Sequence, residues 1–462
     1  MAAYDSPEEG ARTNGSVPEL RLKDGSRIAV IGGGPAGSFF SYFLLSMAER
    51  GGLKVAVDIY EPRDFSRTGQ GGCNKCGGIV YDSLVQSLAT DGIFLPESIV
   101  QQGIDRYTLH TDDGSVRFKP TGDERRVASV RRGAGPCGAA RSLLASFDGF
   151  LLATAEGKGA RVVRERVTGT AMVGGKPRVT TKSGLVEEYD LLVGALGVNS
   201  PDLKIFEGCG SGYAPPATTR TFITEILLGE AAIAECLGGT MHFFLLDIPR
   251  LKFAAIIPKG EYATVCLLGR DIKQEMVERF FRHPEVLGCF PPGWSHTETL
   301  CRCSPSIALG RSEGSFADRF VMIGDCCVSR LYKDGIGNAY RTAKAAAQAA
   351  FLYGISRGEF NRHYRPVCDA VAADNRFGKV VFTVTSLIKR VPSLRHAMIR
   401  MTAREQEGIS PPRISGVLLD TFTGNASFRN IFFRALHPAF LARLFLETAR
   451  GWVSPPIPTD AE

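Results

Sequence analysis

Residues Ile28 to Ile31 form a short apolar run that leads straight into Gly32-Gly33-Gly34-Pro35-Ala36-Gly37. An apolar stretch of helix length follows, Ser38 to Arg50, and then a second strand-like run, Lys54 to Tyr60, that ends at Glu61. This order requires a strand to turn tightly into a helix and return as a strand. In a G-x-G-x-x-G turn the first glycine permits the bend, the second lets backbone approach a diphosphate, and the third lets helix pack on strand. Here these are Gly32, Gly34 and Gly37. Pro35 and Ala36 lie between them at the helix start, where free N–H groups bind an anion. Glu61 lies at the end of the second strand, where a carboxylate accepts both hydroxyls of an adenosine ribose and disfavours a 2′-phosphate. A glycine turn alone is weak evidence, but with strand, helix and acid in place it points to FAD or NAD rather than NADP.

Composition fits a folded, soluble chain. With 462 residues, 44% hydrophobic and 22% charged, it has the length of two or three domains and is not disordered. Its 52 glycines follow no G-X-Y period. The net charge of +7 is spread out, with no aromatic-interleaved basic stripe, so no nucleic-acid partner is expected and only a faint attraction to anionic membrane surfaces remains. There is no apolar run of about 18 residues and no signal-like N-terminus, so the expected location is cytoplasmic, with peripheral membrane contact as the alternative. Twelve cysteines fall well short of the ~8% of a disulfide scaffold and suit a reducing compartment.

The expected organisation is α/β. Residues 1–26, rich in Ser, Pro, Gly, Asp and Glu, read as a flexible tail. A Rossmann-like nucleotide domain is expected to be split, its first part 27–210 and its second part 316–360. Between them, 211–315 carries the runs MHFFLLD, FAAIIP and YATVCLLG and reads as an inserted antiparallel β-sheet substrate domain. Residues 361–462 read as a helical C-terminal region interrupted at Pro392, Pro411, Pro412 and Pro438.

The second part is the more specific. RFVMIGDCCVSRLYKDGIGNAYRTAKAAAQAA resembles the second nucleotide motif of the flavoprotein group that includes aromatic hydroxylases and geranylgeranyl reductases. The resemblance implies FAD, with Asp325 of the Gly324-Asp325 pair bonding the ribityl chain. It also implies that Gly335, Ile336 and Gly337 open a helix at the flavin pyrimidine edge. A helix N-terminus there would stabilise the negative charge of a reduced flavin near N1 and O2. YDLLVGALGVNS, residues 189–200, resembles the group's YDLVVGADGxxS segment, with Leu196 in place of the usual Asp. Arg141 with Phe147-Asp148 resembles its arginine and FD segment, which implies an arginine near the flavin ribityl or pyrophosphate.

Within that group the chain is most similar to the geranylgeranyl reductase branch, from about Arg27 to about residue 400. Gly72-Cys73-Asn74-Lys75-Cys76-Gly77-Gly78 falls where that branch has a cysteine-bearing loop beside the flavin. FAAIIPKGEYATVCLLG, residues 253–269, resembles its YxWxFPKG hairpin, which lines a lipid pocket, with Ala255 for Trp and Ile257 for Phe. The resemblance implies an FAD-dependent oxidoreductase that reduces C=C bonds of an isoprenoid or other small apolar substrate. A flavin monooxygenase of the same fold and a flavin-loaded dithiol redox sensor are the alternatives. No second G-x-G-x-x-G is visible, so the electron donor is expected to be transiently bound NAD(P)H or a ferredoxin-like protein.

Cys73 and Cys76, the candidate catalytic residues, have three readings: small residues in a loop passing close to the ring, a redox or proton-transferring pair, or half of a metal or iron–sulfur site. That last reading would need Cys301 and Cys303, or Cys326 and Cys327, which lack C-x-x-C spacing, so no metal site is assigned. Cys326 reads as packing, and Cys137, Cys209, Cys236, Cys266, Cys289 and Cys368 as small buried hydrophobes. The seven histidines show no paired spacing. Lys333 and Asp334 could meet substrate or flavin, or form an exposed salt bridge. The C-terminal stretch NIFFRALHPAFLARLFLETARGW reads as a helix packed on its own domain or lying on a membrane surface.

Overall fold

The computed structural model describes residues 20–69, 76–120, 126–136, 146–295 and 301–450. Cys73 and Arg141 therefore lie outside the described residues, as does most of the expected N-terminal tail.

The fold is mixed α/β with a helical C-terminal region. A six-stranded sheet has the order Phe316–Ala317, Phe320–Met322, Leu191–Gly194, Ser26–Ile31, Val55–Tyr60, Arg161–Val163. All neighbours are parallel except the first pair. Its strands come from segments far apart in sequence, and the core strands are apolar from Ile28 to Ile31, over Leu191–Gly194 and over Phe320–Met322, as a parallel sheet buried on both faces requires. The helix Pro35–Arg50 packs against the helix Gly335–Gln348, where Phe39 and Phe43 meet Tyr340 edge-on at 5.7 and 5.6 Å.

A seven-stranded sheet has the order Cys301–Cys303, Phe222–Leu227, Tyr262–Gly269, Leu251–Lys259, Thr240–Leu245, Arg106–Thr111, Gly114–Phe118. The strands of 211–315 in this sheet pair antiparallel with one another, as expected, and the sheet extends beyond them where Thr240–Leu245 pairs in parallel with Arg106–Thr111. The two extra strands come from RYTLHTDDGSVRF, a hairpin turning at Asp112-Asp113-Gly114, and parallel pairing to it depends on tertiary packing that no local pattern announces. Both faces of this sheet are covered. Phe253, Ala255, Ile257 and Cys266 face the main core, whereas Ala254, Ile256 and Val265 face a second apolar core under the helices Glu230–Cys236 and Gln274–Phe281. Burial on both sides explains why these strands read as continuous apolar runs.

The C-terminal helices Arg365–Arg390, Pro392–Gln406, Ile414–Thr423, Phe428–Ala435 and Pro438–Arg450 begin or end near the anticipated prolines, with Pro392 and Pro438 as first helical residues. They dock on the inner face of the seven-stranded sheet through the stacked pairs Phe253–Phe382 and Phe243–Phe422, at 5.9 and 4.6 Å. Each such pair contributes about 0.5–1.5 kcal/mol beyond its buried area. Lys333 and Asp334 form no exposed salt bridge. The Lys333 ammonium donates to the carbonyls of Asp420 and Thr421 at 2.6 and 3.2 Å. The fully buried Asp334 carboxylate pairs with Arg330 at 2.9 Å and with Arg341. The loop before Gly335 is thereby anchored to the C-terminal helices. Helix Pro438–Arg450 buries Phe440 and Glu447, the latter beside Arg400, Arg404 and Arg450, and leaves Leu441, Phe445 and Leu446 exposed. No helix among the described residues is long and apolar enough to cross a membrane.

Candidate active site

At the carboxyl ends of the parallel strands lies a cavity of about 450 Å³, within the ~300–1,000 Å³ usual for ligand sites. Its lining includes Gly32, Gly34, Pro35, Ala36 and Glu61 from the first glycine motif, and Gly324, Asp325, Gly335 and Ile336 from the second. The two motifs touch each other: a Cβ added to Gly324 would stand 2.9 Å from the Cβ of Ala36.

The glycines divide into two kinds. Gly32 has φ +111°, and a Cβ there would lie 2.5 Å from the carbonyl oxygen of Ala195. A Cβ on Gly37 would lie 1.9 Å from the carbonyl oxygen of Gly32, and one on Gly337 only 2.2 Å from Asp334 Oδ1. These three are required by the chain's own packing and, apart from Gly32, do not line the cavity. Gly34 has φ −70°, and the nearest atom to an added Cβ is Arg132 Nη2 at 3.8 Å. Nothing lies within 4 Å of a Cβ on Gly335. Folding does not need glycine at these two positions, and both face the cavity. They are also the two helix starts, and neither helix carries a side-chain cap. Backbone N–H groups and the positive ends of two helix dipoles are therefore directed at the same space.

Glu61 is buried, and its Oε2 accepts the N–H of Gly33 at 3.0 Å. Arg63 folds back on it, with Nε to Oε1 at 2.9 Å and Nη2 to Oε2 at 3.0 Å. Arg63 is absent from the sequence reading. Its side chain is 43% exposed, whereas that of Glu61 is buried. Asp325 Oδ1 accepts the N–H of Val198 at 3.2 Å. Burial pushes the Asp325 carboxyl above the usual carboxylate range, against the opposing pull of Arg132 and of backbone N–H groups.

Arg132 is a second residue the sequence reading missed. It lines the cavity and makes a two-pronged ion pair with the fully buried Asp148, Nε to Oδ1 at 2.9 Å and Nη2 to Oδ2 at 2.7 Å. The sequence reading named Asp148 only as part of the segment that resembles an arginine and FD motif; Arg141 of that motif lies outside the described residues. Ser146, which caps the helix Phe147–Gly157 by accepting the N–H of Gly149, also donates to the Arg132 carbonyl at 2.8 Å and fixes this junction.

Cys76 is half-buried, and its Sγ accepts the N–H of Gly78 at 3.4 Å. The loop passes against the hairpin wall. A Cβ on Gly77 would meet Cys266 Sγ at 3.1 Å and Ile257 Cδ1 at 3.5 Å, and one on Gly78 would meet the Val130 carbonyl at 1.9 Å. Cys266 is the register partner of Ala255, so the two hairpin positions that depart from the resembled pattern share the face nearest the loop. Burial pushes the Cys266 thiol up, so it is a packing group. Lys259, at the end of the strand Leu251–Lys259 that carries Ala255, is buried and lies 3.6 Å from Glu225. Cys301 and Cys303 form the edge strand of the seven-stranded sheet, and Cys326 and Cys327 are buried just after Asp325. Among the described residues Cys76 joins no group of three side chains able to share a metal ion.

No protein-family model matches the sequence, and a search of curated proteins finds no match. Solved structures do match. A flavoprotein/dehydrogenase from Cytophaga hutchinsonii superposes with a TM-score of 0.61 at 14% identity, over 92% of this chain and 100% of that one. The p-nitrophenol 4-monooxygenase PnpA from Pseudomonas putida DLL-E4 gives 0.54 at 13% identity, over 92% and 99%. A variant of the halogenase PltM in complex with FAD gives 0.55 at 12% identity, over 94% and 93%. The chain has the fold of these flavoproteins.

The raised pKa of Asp325 has a measurable consequence. A carboxyl whose folded pKa exceeds its unfolded value costs stability when ionised, and the cost disappears once both states are protonated. Asp325→Asn keeps an acceptor for the Val198 N–H, so at pH 7 the ligand-free variant is expected to melt above the parent protein. The difference should shrink as pH falls and vanish below about 4, the unfolded carboxylate pKa. Thermal melts across that range test it, and an Asn variant that melts lower at pH 7 would contradict it.

Proposed function

We propose that the cavity holds FAD and that the chain is an FAD-dependent oxidoreductase, with a split Rossmann-like FAD-binding domain and a sheet-walled substrate side. The observation that carries this reading is the pair of glycines, Gly34 and Gly335, that the fold does not need and that open two uncapped helix starts onto one space. When bound, FAD supplies hydride or electron-pair transfer at its ring.

The chain's own residues have distinct tasks in this reading. Gly32 and Gly34 let backbone approach the diphosphate, and the N–H groups after Pro35 and Ala36 bind it. Glu61 accepts the adenosine ribose hydroxyls once Arg63 moves aside. Asp325 accepts from the sugar alcohol, and Arg132 places positive charge between Asp148 and the cavity. The helix starting at Gly335-Ile336-Gly337 stabilises negative charge on the ring. Cys76 Sγ, or that of Cys73, holds the proton delivered to substrate.

The apolar inner face of the hairpin, with Ala255 and Ile257, supports a bulky apolar substrate such as an isoprenoid, and reduction of its C=C bond is the first reading. Exposed Leu441, Phe445 and Leu446 support peripheral contact with a membrane in which such a substrate dissolves. Monooxygenation is the second reading, favoured by the fold shared with a nitrophenol monooxygenase and a halogenase.

A single experiment separates them. FAD-loaded protein is reduced anaerobically by NAD(P)H or a reduced ferredoxin-like protein and mixed with a prenyl-lipid panel, with and without labelled oxygen. A saturated product formed without oxygen is expected. Turnover only with oxygen, with the label in the product, would replace the reductase reading by the monooxygenase one. Reduction of the flavin with no product in either arm would leave the redox sensor.

A further inference from the structure

On the face of the seven-stranded sheet that points away from the proposed flavin side, two histidines and a cysteine converge in the protein interior. His110 lies on strand Arg106–Thr111 and His242 on Thr240–Leu245, two parallel neighbours. Thr108 is the register partner of His242 and His110 that of Phe244, so both imidazoles emerge on the same face. Cys289 follows the short helix Pro284–Leu287 in the layer that covers this face. All three are buried.

We infer that His110 Nε2, His242 Nδ1 and Cys289 Sγ form a tetrahedral transition-metal site of the zinc type, which ties the covering layer to the sheet. The three atoms stand at 2.9 Å (N to N), 3.5 Å (S to His242 Nδ1) and 3.8 Å (S to His110 Nε2). Zinc bond lengths in a tetrahedral site place nitrogens about 3.3 Å apart and nitrogen and sulfur about 3.5 Å apart. The two sulfur edges are already near these values, and a slight parting of the imidazoles completes the triangle.

A further observation favours a metal over a simple hydrogen-bonded pair. The other nitrogen of His110, Nδ1, lies 2.7 Å from Glu285 Oε2. A carboxylate there holds the proton on Nδ1 and leaves Nε2 bare towards the site, the arrangement common behind metal-bound histidines. Two imidazoles and a thiol suit Zn²⁺ and exclude the hard cations, which take oxygen ligands. The fourth position falls to water, since His110, His242 and Cys289 are the three side chains that converge here. The site is separate from Cys76 and from the nucleotide cavity, so it stands or falls independently of the flavin.

The test uses the full-length protein, stripped with a chelator and titrated with Co²⁺ and then Zn²⁺. One equivalent of Co²⁺ should give the strong visible bands of four-coordinate cobalt with a thiolate-to-metal charge-transfer band, and Zn²⁺ should abolish both. Cys289→Ser should lose the charge-transfer band, while Cys73→Ser/Cys76→Ser keeps it. Glu285 is partly exposed, so Glu285→Gln should fold normally and weaken Co²⁺ binding about 10–100-fold. The weak spectrum of hydrated Co²⁺ in the parent protein would overturn the inference. So would a charge-transfer band that survives Cys289→Ser, or unchanged affinity in Glu285→Gln.

Discussion

Arg132→Met is expected to destabilise the ligand-free chain by about 3–5 kcal/mol, the usual result of stripping one partner from a buried ion pair. Asp148 is fully buried, and its two oxygens are held by the two prongs of Arg132. Without that guanidinium an ionised carboxylate is left inside the protein. The double variant Arg132→Met, Asp148→Leu removes both charges and should regain most of the stability, because an apolar pair of similar volume commonly replaces a buried ion pair at little cost. FAD affinity should remain low in the double variant, since the positive charge at the cavity is gone. Urea unfolding of the three ligand-free proteins, followed by flavin titration, tests both parts. A single variant within 1 kcal/mol of the parent would show that the pair is not the tie between the Ser146 junction and the cavity.

Gly34→Val is expected to have the opposite profile. An added Cβ meets no atom closer than 3.8 Å, and φ is −70°, so the variant should fold, with a stability loss of about 1–2 kcal/mol at most for valine in place of glycine at a helix N-cap. The side chain would occupy the space through which the diphosphate approaches. A loss of at least 100-fold in FAD affinity, about 2.7 kcal/mol, is expected. Gly37→Val is the contrasting control: its Cβ would collide with the Gly32 carbonyl oxygen at 1.9 Å, so it should fail to fold rather than fail to bind. Circular dichroism melts together with flavin titration distinguish the two. If Gly34→Val bound FAD as well as the parent, the open space beside Gly34 would not be the diphosphate site.

What was legible in the sequence was what depends on local chemistry. The first glycine turn, the strand-end Gly324-Asp325 and the Ala-rich helix after Gly335 each need particular residues at fixed spacing, and each lies where that spacing placed it. Helix starts at Pro392 and Pro438 follow from the fixed φ of proline. What depends on long-range pairing was not legible. The Arg106–Thr111 hairpin joins a distant strand in parallel, and Arg132 reaches Asp148 from sixteen residues earlier in the chain. Two adjacent arginines in RVASVRRGAG offer no local clue to which one faces an acid. The same blindness affected His110, His242 and Cys289, which are far apart in the chain and converge only because two strands pair and a helix covers them. Read singly, a buried cysteine is most simply a small hydrophobe.

The central claim is that the two glycine motifs close around one FAD. Its most direct measurement is the absorption spectrum of purified full-length protein before and after reconstitution with FAD, with bound flavin quantified per chain. A yellow protein with two flavin bands and one FAD per chain is predicted. A colourless protein that retains no FAD after reconstitution, while its melt shows it folded, would contradict the account.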